Sequence, residues 1–138
     1  MSVRVMWDNV EQTRLCYEFP PNWTWRMLDD AMMTCASMLS EVEGDINLIM
    51  NLCGSKGLPG GSALNIRNAL ARTPRRVAFI AVVTTNPVVK STFTLLAQIQ
   101  PQMGERLLTV DTMDVARAVL AHPYTLRNSV SPANLENN

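Results

Sequence analysis

Val3, Val5 and Trp7 interleave with Arg4, Met6 and Asp8, a period-two pattern that predicts a half-buried strand. After the turn-prone Asp8-Asn9, the alternation returns over residues 13–19 and puts Leu15, Tyr17 and Phe19 on one face. So short a connection predicts an antiparallel hairpin. Pro20-Pro21 ends its second strand, because neither proline can donate to a ladder.

From Thr24 the period changes. Trp25, Leu28, Met32, Cys35, Leu39 and Val42 recur at threes and fours, one apolar helical stripe. Asn22 or Thr24 is placed to cap its first turn, and Gly44 stands where a helix commonly ends. Ile46–Leu52 reads as a strand, followed by the glycine-rich loop 54–61 and a helix over 62–72 with Ala63, Ile66 and Leu70 inward. Val77–Val83 is apolar on both pleat faces, as in a central strand of a largely parallel sheet. Asn86-Pro87 pairs an N-cap with proline at the first helical position. Val88, Val89, Thr92, Phe93, Leu96 and Ile99 continue that helix until Pro101. Leu107–Val110 forms a last short strand. Asp111 or Thr112 then caps a final helix containing Val115, Ala116, Val119 and Leu120.

The element order is therefore ββαβαβαβα. Successive βα units with right-handed crossovers build a parallel sheet, and the opening hairpin adds one antiparallel edge strand. The expectation is a single α/β domain over residues 1–122, with a five-stranded, mixed but largely parallel sheet. Residues 123–138 are polar and read as a flexible C-terminal tail. If every crossover packs its helix on one face, the other face of Val77–Val83 needs cover. A homodimer or the N-terminal hairpin would give it.

Composition narrows the class. The chain has 138 residues, of which 36 are Leu, Ile, Val or Phe, enough for a substantial core in one domain. Twelve basic and twelve acidic side chains cancel, so no overall field favours nucleic acid or an anionic membrane. No apolar run approaches the length of a membrane span, and the N-terminal residues lack the apolar core of a signal peptide. Cys16, Cys35 and Cys53 are an odd, widely spaced set. That spacing suits free thiols in a reducing, cytoplasmic setting better than disulfides or zinc.

Candidate chemistry is sparse. The pattern GxxxxGK[ST] is not met, because Lys56 precedes the Gly60-Gly61 pair. Without a nucleotide, the loop reads as a flexible connection or as a surface for another protein, since binding residues concentrate on loops held by rigid elements. Cys53 closes a strand beside it, but the single histidine, His122, stands at the far end of the last helix. A nucleophilic cysteine needs a base, and a buried, inert thiol is the expectation. His122 has no companion ligands for a metal and is placed to meet the last helix's carbonyls. Arg67, Arg72, Arg75 and Arg76 form the one basic concentration, either a solvated face or a contact for phosphate or an acidic partner. Met33 lies off the first helix's stripe, and Trp23 either anchors a partner or covers the sheet edge.

Over roughly residues 2–121 the chain resembles a STAS domain, the class named for sulphate transporters and anti-sigma-factor antagonists, and in particular a stand-alone bacterial branch. The resemblance rests on the element order, on Trp23-Thr24-Trp25, on the loop from Asn51-Leu52-Cys53 to Gly61-Ser62, and on Val77–Val83 running into Thr84-Thr85-Asn86-Pro87. It implies a non-enzymatic regulatory module, with no cofactor or metal. A partner protein would be bound through Ser55, Lys56, Gly57, Leu58, Gly60, Gly61 and Ser62. In the family this loop carries Asp-hydrophobic-Ser and then Asp-Ser-Ser-Gly, whose serine accepts phosphate from a partner kinase. Here Asn51-Leu52-Cys53 and Pro59-Gly60-Gly61-Ser62 stand in those places. Both polar signature positions differ, and Ser62 is the nearby hydroxyl in a comparable position for phosphorylation. Two other classes stay open. One is a carrier of a small apolar ligand or lipid, because the related branch is grouped with CRAL-TRIO-type lipid binders and a pocket could form between the first and third helices. The other is an enzyme using Cys53.

Overall fold

The computed structural model describes residues 1–121. The expectations for His122 and for the tail 123–138 lie outside the described residues. Five strands, β1 (Arg4–Trp7), β2 (Arg14–Glu18), β3 (Ile46–Asn51), β4 (Val77–Val83) and β5 (Leu107–Val110), form one sheet in sequential order. β1 is antiparallel to β2, with Val5 opposite Tyr17. All later neighbours run parallel. The chain is the single mixed α/β sheet that its periodicity predicts.

Helices α1 (Trp25–Leu39), α2 (Ser62–Arg72) and α3 (Pro87–Ile99) bridge successive parallel strands. Crossovers of one hand, all stepping in one direction, place their helices on one face. Leu28, Cys35 and Leu39 of α1, Ile66 and Leu70 of α2, and Phe93 and Leu96 of α3 accordingly share a core with Leu15, Leu48, Met50, Ile80 and Val82. In β4 the register slips: Ile46 faces Val77 but Asn47 faces Phe79. That extra residue is why Val77 and Ile80, three apart, reach the same core, and such bulges bend a strand locally.

The opposite face has its own cover. The last helix, numbered α5 (Met113–Ala121) because a four-residue helix α4 (Pro101–Gly104) precedes β5, returns across the sheet. It lays Ala116, Val119 and Leu120 on Cys16, Ile49, Ala81 and Val83. Cover for β4 on this face is thus supplied from within the chain by α5, not by the N-terminal hairpin. A helix that follows the last strand closes no crossover, so the one-face rule does not bind it.

Ion pairs and side-chain caps fix the edges. Arg117 of α5 donates to both carboxylate oxygens of Asp8, each at 3.0 Å, and Arg14 donates to the same carboxylate at 2.7 Å. The Asn47 amide donates to the Leu120 carbonyl at 3.3 Å. Thr24 caps α1, accepting from the Met27 N–H, and Asn86 caps α3 by accepting from Val88 and Val89. Thr112 accepts from Val115 at the start of α5. Of the basic concentration, Arg76 donates to the carbonyls of Leu39, Val42 and Gly44 at 2.6, 2.6 and 3.0 Å. It closes the C-terminal end of α1, where orphan carbonyls and the helix dipole both favour a cation. Arg72 pairs with Asp29 at 2.7 Å, whereas Arg67 and Arg75 are exposed.

Three expectations need correction. Val88 and Ile99 are 72% and 62% exposed, because the buried stripe of α3 is the narrower set Val89, Phe93 and Leu96. Ala63 is exposed, and Ala69 takes its place in the core. Pro101 ends α3 yet opens α4 at once, since proline is tolerated in a first helical turn.

Candidate functional site

Loop 54–61 leaves the sheet at the C-terminal ends of the parallel strands, where open α/β sheets carry their sites. Its start is set by Asn51, whose side chain accepts from the Cys53 N–H at 3.1 Å. This is an Asx turn, in which a short polar side chain bonds its own backbone two residues on. The Leu52 N–H still donates to Val83 at 2.9 Å, extending the ladder by one bond. Leu52 is buried and Cys53, the next residue, faces solvent. The expectation of a buried Cys53 thiol is therefore wrong: the strand ends before it. Buried thiols occur instead at Cys16 and Cys35.

Two tryptophans hold the loop. The Trp23 indole N–H donates to the Ser55 hydroxyl at 2.8 Å. That hydroxyl donates to the Gly57 carbonyl at 2.5 Å and accepts from the Gly57 N–H at 3.2 Å. The Trp25 indole N–H donates to the Gly60 carbonyl at 2.7 Å. From the loop's side, the Lys56 N–H donates to the Pro21 carbonyl at 3.0 Å. Behind the tryptophans, Phe19 and Trp23 stack edge to face at 4.7 Å, and Trp23 and Trp25 do so at 4.9 Å. Trp23 is buried, so it is part of the platform under the loop and not an exposed anchor.

Each expected binding residue has a definite place. Lys56, Gly60 and Gly61 are exposed. Ser55 is half-buried, with its hydroxyl committed inside the loop. Leu58 is half-buried and packs on the core. Gly57 has φ +144° and Gly61 φ +75°, backbone states that L side chains rarely adopt. Gly61 is the N-cap of α2 and brings no side-chain acceptor, and no acidic residue stands in that helix's first turn. Ser62, half-buried, is the first residue of α2. Its helix-start N–H groups make this the electropositive end of α2. The loop residues are thus brought together, while Trp23 and Trp25 are the tethering residues that loop-centred reasoning misses. The signal for them was the Trp23-Thr24-Trp25 run itself.

The interior beneath the loop is apolar and nearly full. A cavity of about 30 Å³ lies under α1 and α2, bounded by Leu28, Met32, Met50, Leu58, Ile66 and Phe93. Ligand pockets are usually about 300–1,000 Å³, so this void does not hold a lipid or a drug-sized molecule. α1 lines it with Leu28 and Met32, α2 with Ile66, Ala69 and Leu70, and α3 with Phe93. Tyr17 also borders it. Burial pushes the Tyr17 phenol well above its usual range, and the hydroxyl interacts with the Cys35 thiol, which burial also raises. Burial, helped by the Asp8 and Glu18 carboxylates, pushes the Cys16 thiol up to about 12.

Sequential strand order has a chemical consequence. A ligand crevice in an open α/β sheet forms where neighbouring crossovers leave in opposite directions, and β1 to β5 contain no such reversal. Among the described residues, no group of three His, Cys, Asp or Glu side chains could hold a metal ion. No helix among them is long and apolar enough to cross a membrane. Comparison with protein-family models and with curated proteins finds no match for the chain.

Proposed function

We propose that this chain is a STAS-like regulatory module that binds a partner protein through residues Ser55–Ser62, and that it acts without catalysis. The supporting observation is the tethering of the loop. Bonds from Trp23 and Trp25 hold a glycine-rich backbone outward on the sheet's C-terminal edge, with Lys56, Gly60 and Gly61 exposed for contact. A pre-organised loop loses little entropy on binding, which favours recognition by shape and main-chain hydrogen bonds. The apolar cavity under the loop, about 30 Å³, is far smaller than the pockets that hold a lipid, which favours a binding surface over a carrier.

Ser62 is the proposed site of phosphorylation. A phosphate there would meet the N–H groups of the first turn of α2, an end without acidic side chains, and its charge would suit that helix end. A reducing cytoplasm fits the reading, since Cys16, Cys35 and Cys53 are unpaired.

Affinity capture from extracts of the source cell tests it, comparing the wild type with Gly60→Glu and Ser62→Glu. The expected result is a protein retained by the wild type and lost by both variants. Equal recovery by all three would remove the loop as the binding surface. Phosphate-sensitive mass measurement on Ser62 tests the modification separately.

A further inference from the structure

Charge is segregated along this neutral chain. From Ile46 to Gly104 there is no Asp or Glu, while Lys56, Arg67, Arg72, Arg75, Arg76 and Lys90 fall within that stretch. Residues 1–45 hold eight carboxylates against three arginines. The fold turns this into segregation in space, because the carboxylate-free stretch supplies α2 and α3, neighbours in one layer. Arg72 is paired with Asp29 and Lys90 with Asp111, and Arg76 is committed to the end of α1. Arg67 and Arg75 are exposed, and neither α2, α3 nor the turn 73–76 offers them an acid.

The same helices expose apolar side chains that the core does not use: Leu64 at 62%, Leu95 at 54%, Val88 and Ile99. Arg72 reaches toward α1, so Arg67, on the other flank of α2, lies on the side of α3, while Leu64 and Ala71 sit near the crest and Ala71 borders clefts on both sides. Lys90 reaches Asp111, beyond β5, so the opposite flank of α3 lies on the side of α2. That flank carries Val88, Thr92, Leu95 and Ile99 at i, i+4, i+7 and i+11, positions that share a helix face. Arg67 and this apolar row flank the furrow along the seam between α2 and α3. At its foot an open cleft of about 720 Å³ is walled by Ala71, Thr73, Arg75, Gln100 and Arg106.

We propose that the α2–α3 furrow docks an amphipathic helix of a partner protein whose apolar stripe is bordered by carboxylates. Apolar rows one and two turns apart are what a helix laid in a groove requires. Arg67 and Arg75 at the rim would steer and orient an acidic partner. A two-fold contact with a second copy would set Arg67 and Arg75 against themselves. A head-to-tail contact with the acidic N-terminal region of another copy would build a ring or an open filament, which the test reads as self-association. A bilayer is flat and would leave the foot of the furrow unfilled. The furrow begins where the loop ends, but Arg67, Arg75 and the cleft at its foot lie beyond residues 54–62, and this inference holds whether or not that loop binds anything.

Calorimetric titration of the full chain with synthetic peptides tests it. The probes are two helical peptides with the same leucine stripe, flanked by glutamate in one and by lysine in the other, and vesicles of mixed phosphatidylserine and phosphatidylcholine. The glutamate peptide is expected to bind, with affinity falling about tenfold or more on going from low to high salt. Amide resonance shifts should fall on residues 62–72 and 87–99. Leu95→Glu, at an exposed site, should abolish binding, Arg67→Glu should shift preference to the lysine peptide, and Met33→Glu, at an exposed site on α1, should leave the affinity unchanged. Equal binding of both peptides, or binding of neither, overturns the proposal. So does binding of vesicles alone, or self-association that displaces the peptide.

Discussion

The Trp23 indole and the Ser55 hydroxyl, 32 residues apart, meet at 2.8 Å and join the start of α1 to the loop after β3. Trp23 is buried, so little solvent is at hand to replace that acceptor. Ser55→Ala removes that acceptor together with both bonds to Gly57. Leaving a buried donor unsatisfied costs about 1–3 kcal/mol. Denaturant titration should show that loss, with faster amide exchange confined to residues 54–61 and a changed tryptophan emission. Ser55→Thr keeps the acceptor and should retain most of the stability. An alanine variant as stable as wild type would mean that the indole bond does not hold the loop.

Asp8 predicts a pH dependence. Burial alone would raise its pKa, but hydrogen bonds from Arg117 and Arg14 outweigh it and hold the carboxyl below the usual value. A depressed folded pKa means that stability from this group is fully present above the unfolded value, about 3.9. It is lost as pH falls through the lower folded pKa. Asp8→Asn should therefore destabilise at neutral pH, by about 1.5–3 kcal/mol for lost charge-assisted bonds, and the gap to wild type should narrow below pH ~4. Paired denaturation curves at neutral and acid pH check this. A gap that stays constant would show that the Asp8 charge does not carry the link between the hairpin and α5.

Arg76 illustrates a cation used on backbone rather than on a carboxylate. Its guanidinium closes three carbonyls where α1 ends, and hydrogen bonds from a charged donor contribute about 1.5–3 kcal/mol each at most, with overlap between them. Arg76→Met keeps the aliphatic stem and loses the donors; a loss of about 2–4 kcal/mol is expected by thermal or chemical denaturation. Arg76→Lys should recover only part, since an ammonium lacks the planar fork. The exposed Arg75→Met should be close to neutral, which separates the cap from general charge.

Periodicity carried the architecture because each strand and long helix buries a face, and burial is what periodicity records. It could not tell which apolar residues at a helix flank reach the core: Val88 and Ile99 lie just beside the buried row of α3 and stay in solvent. The face taken by α5 was not legible either, since handedness constrains only helices between parallel strands. Cys53 was misplaced by one residue of strand length, and a single step reverses the direction of a side chain. The loop was legible through its glycines, but its anchors were not. An indole N–H finds its partner through the tertiary fold, and nothing local to Trp23 points to Ser55.

Thiol reactivity offers a direct reading of that one-residue correction. Cys53 is exposed in the loop, whereas Cys16 of β2 is buried under α5 on one face of the sheet and Cys35, a residue of α1, is buried against the other. Thiolate is the reactive form, and with its pKa pushed up to about 12 the Cys16 thiol is almost wholly protonated at neutral pH. A disulfide-exchange reagent should modify Cys53 rapidly in the native protein, and Cys53→Ser should abolish the fast phase. Cys16 and Cys35 should react only at the rate of unfolding, and denaturant should release both together if the two faces form one cooperative unit. Early labelling of Cys16 alone would show that α5 lifts independently. In that case the Asp8–Arg117 pair would hold the helix more weakly than its geometry implies.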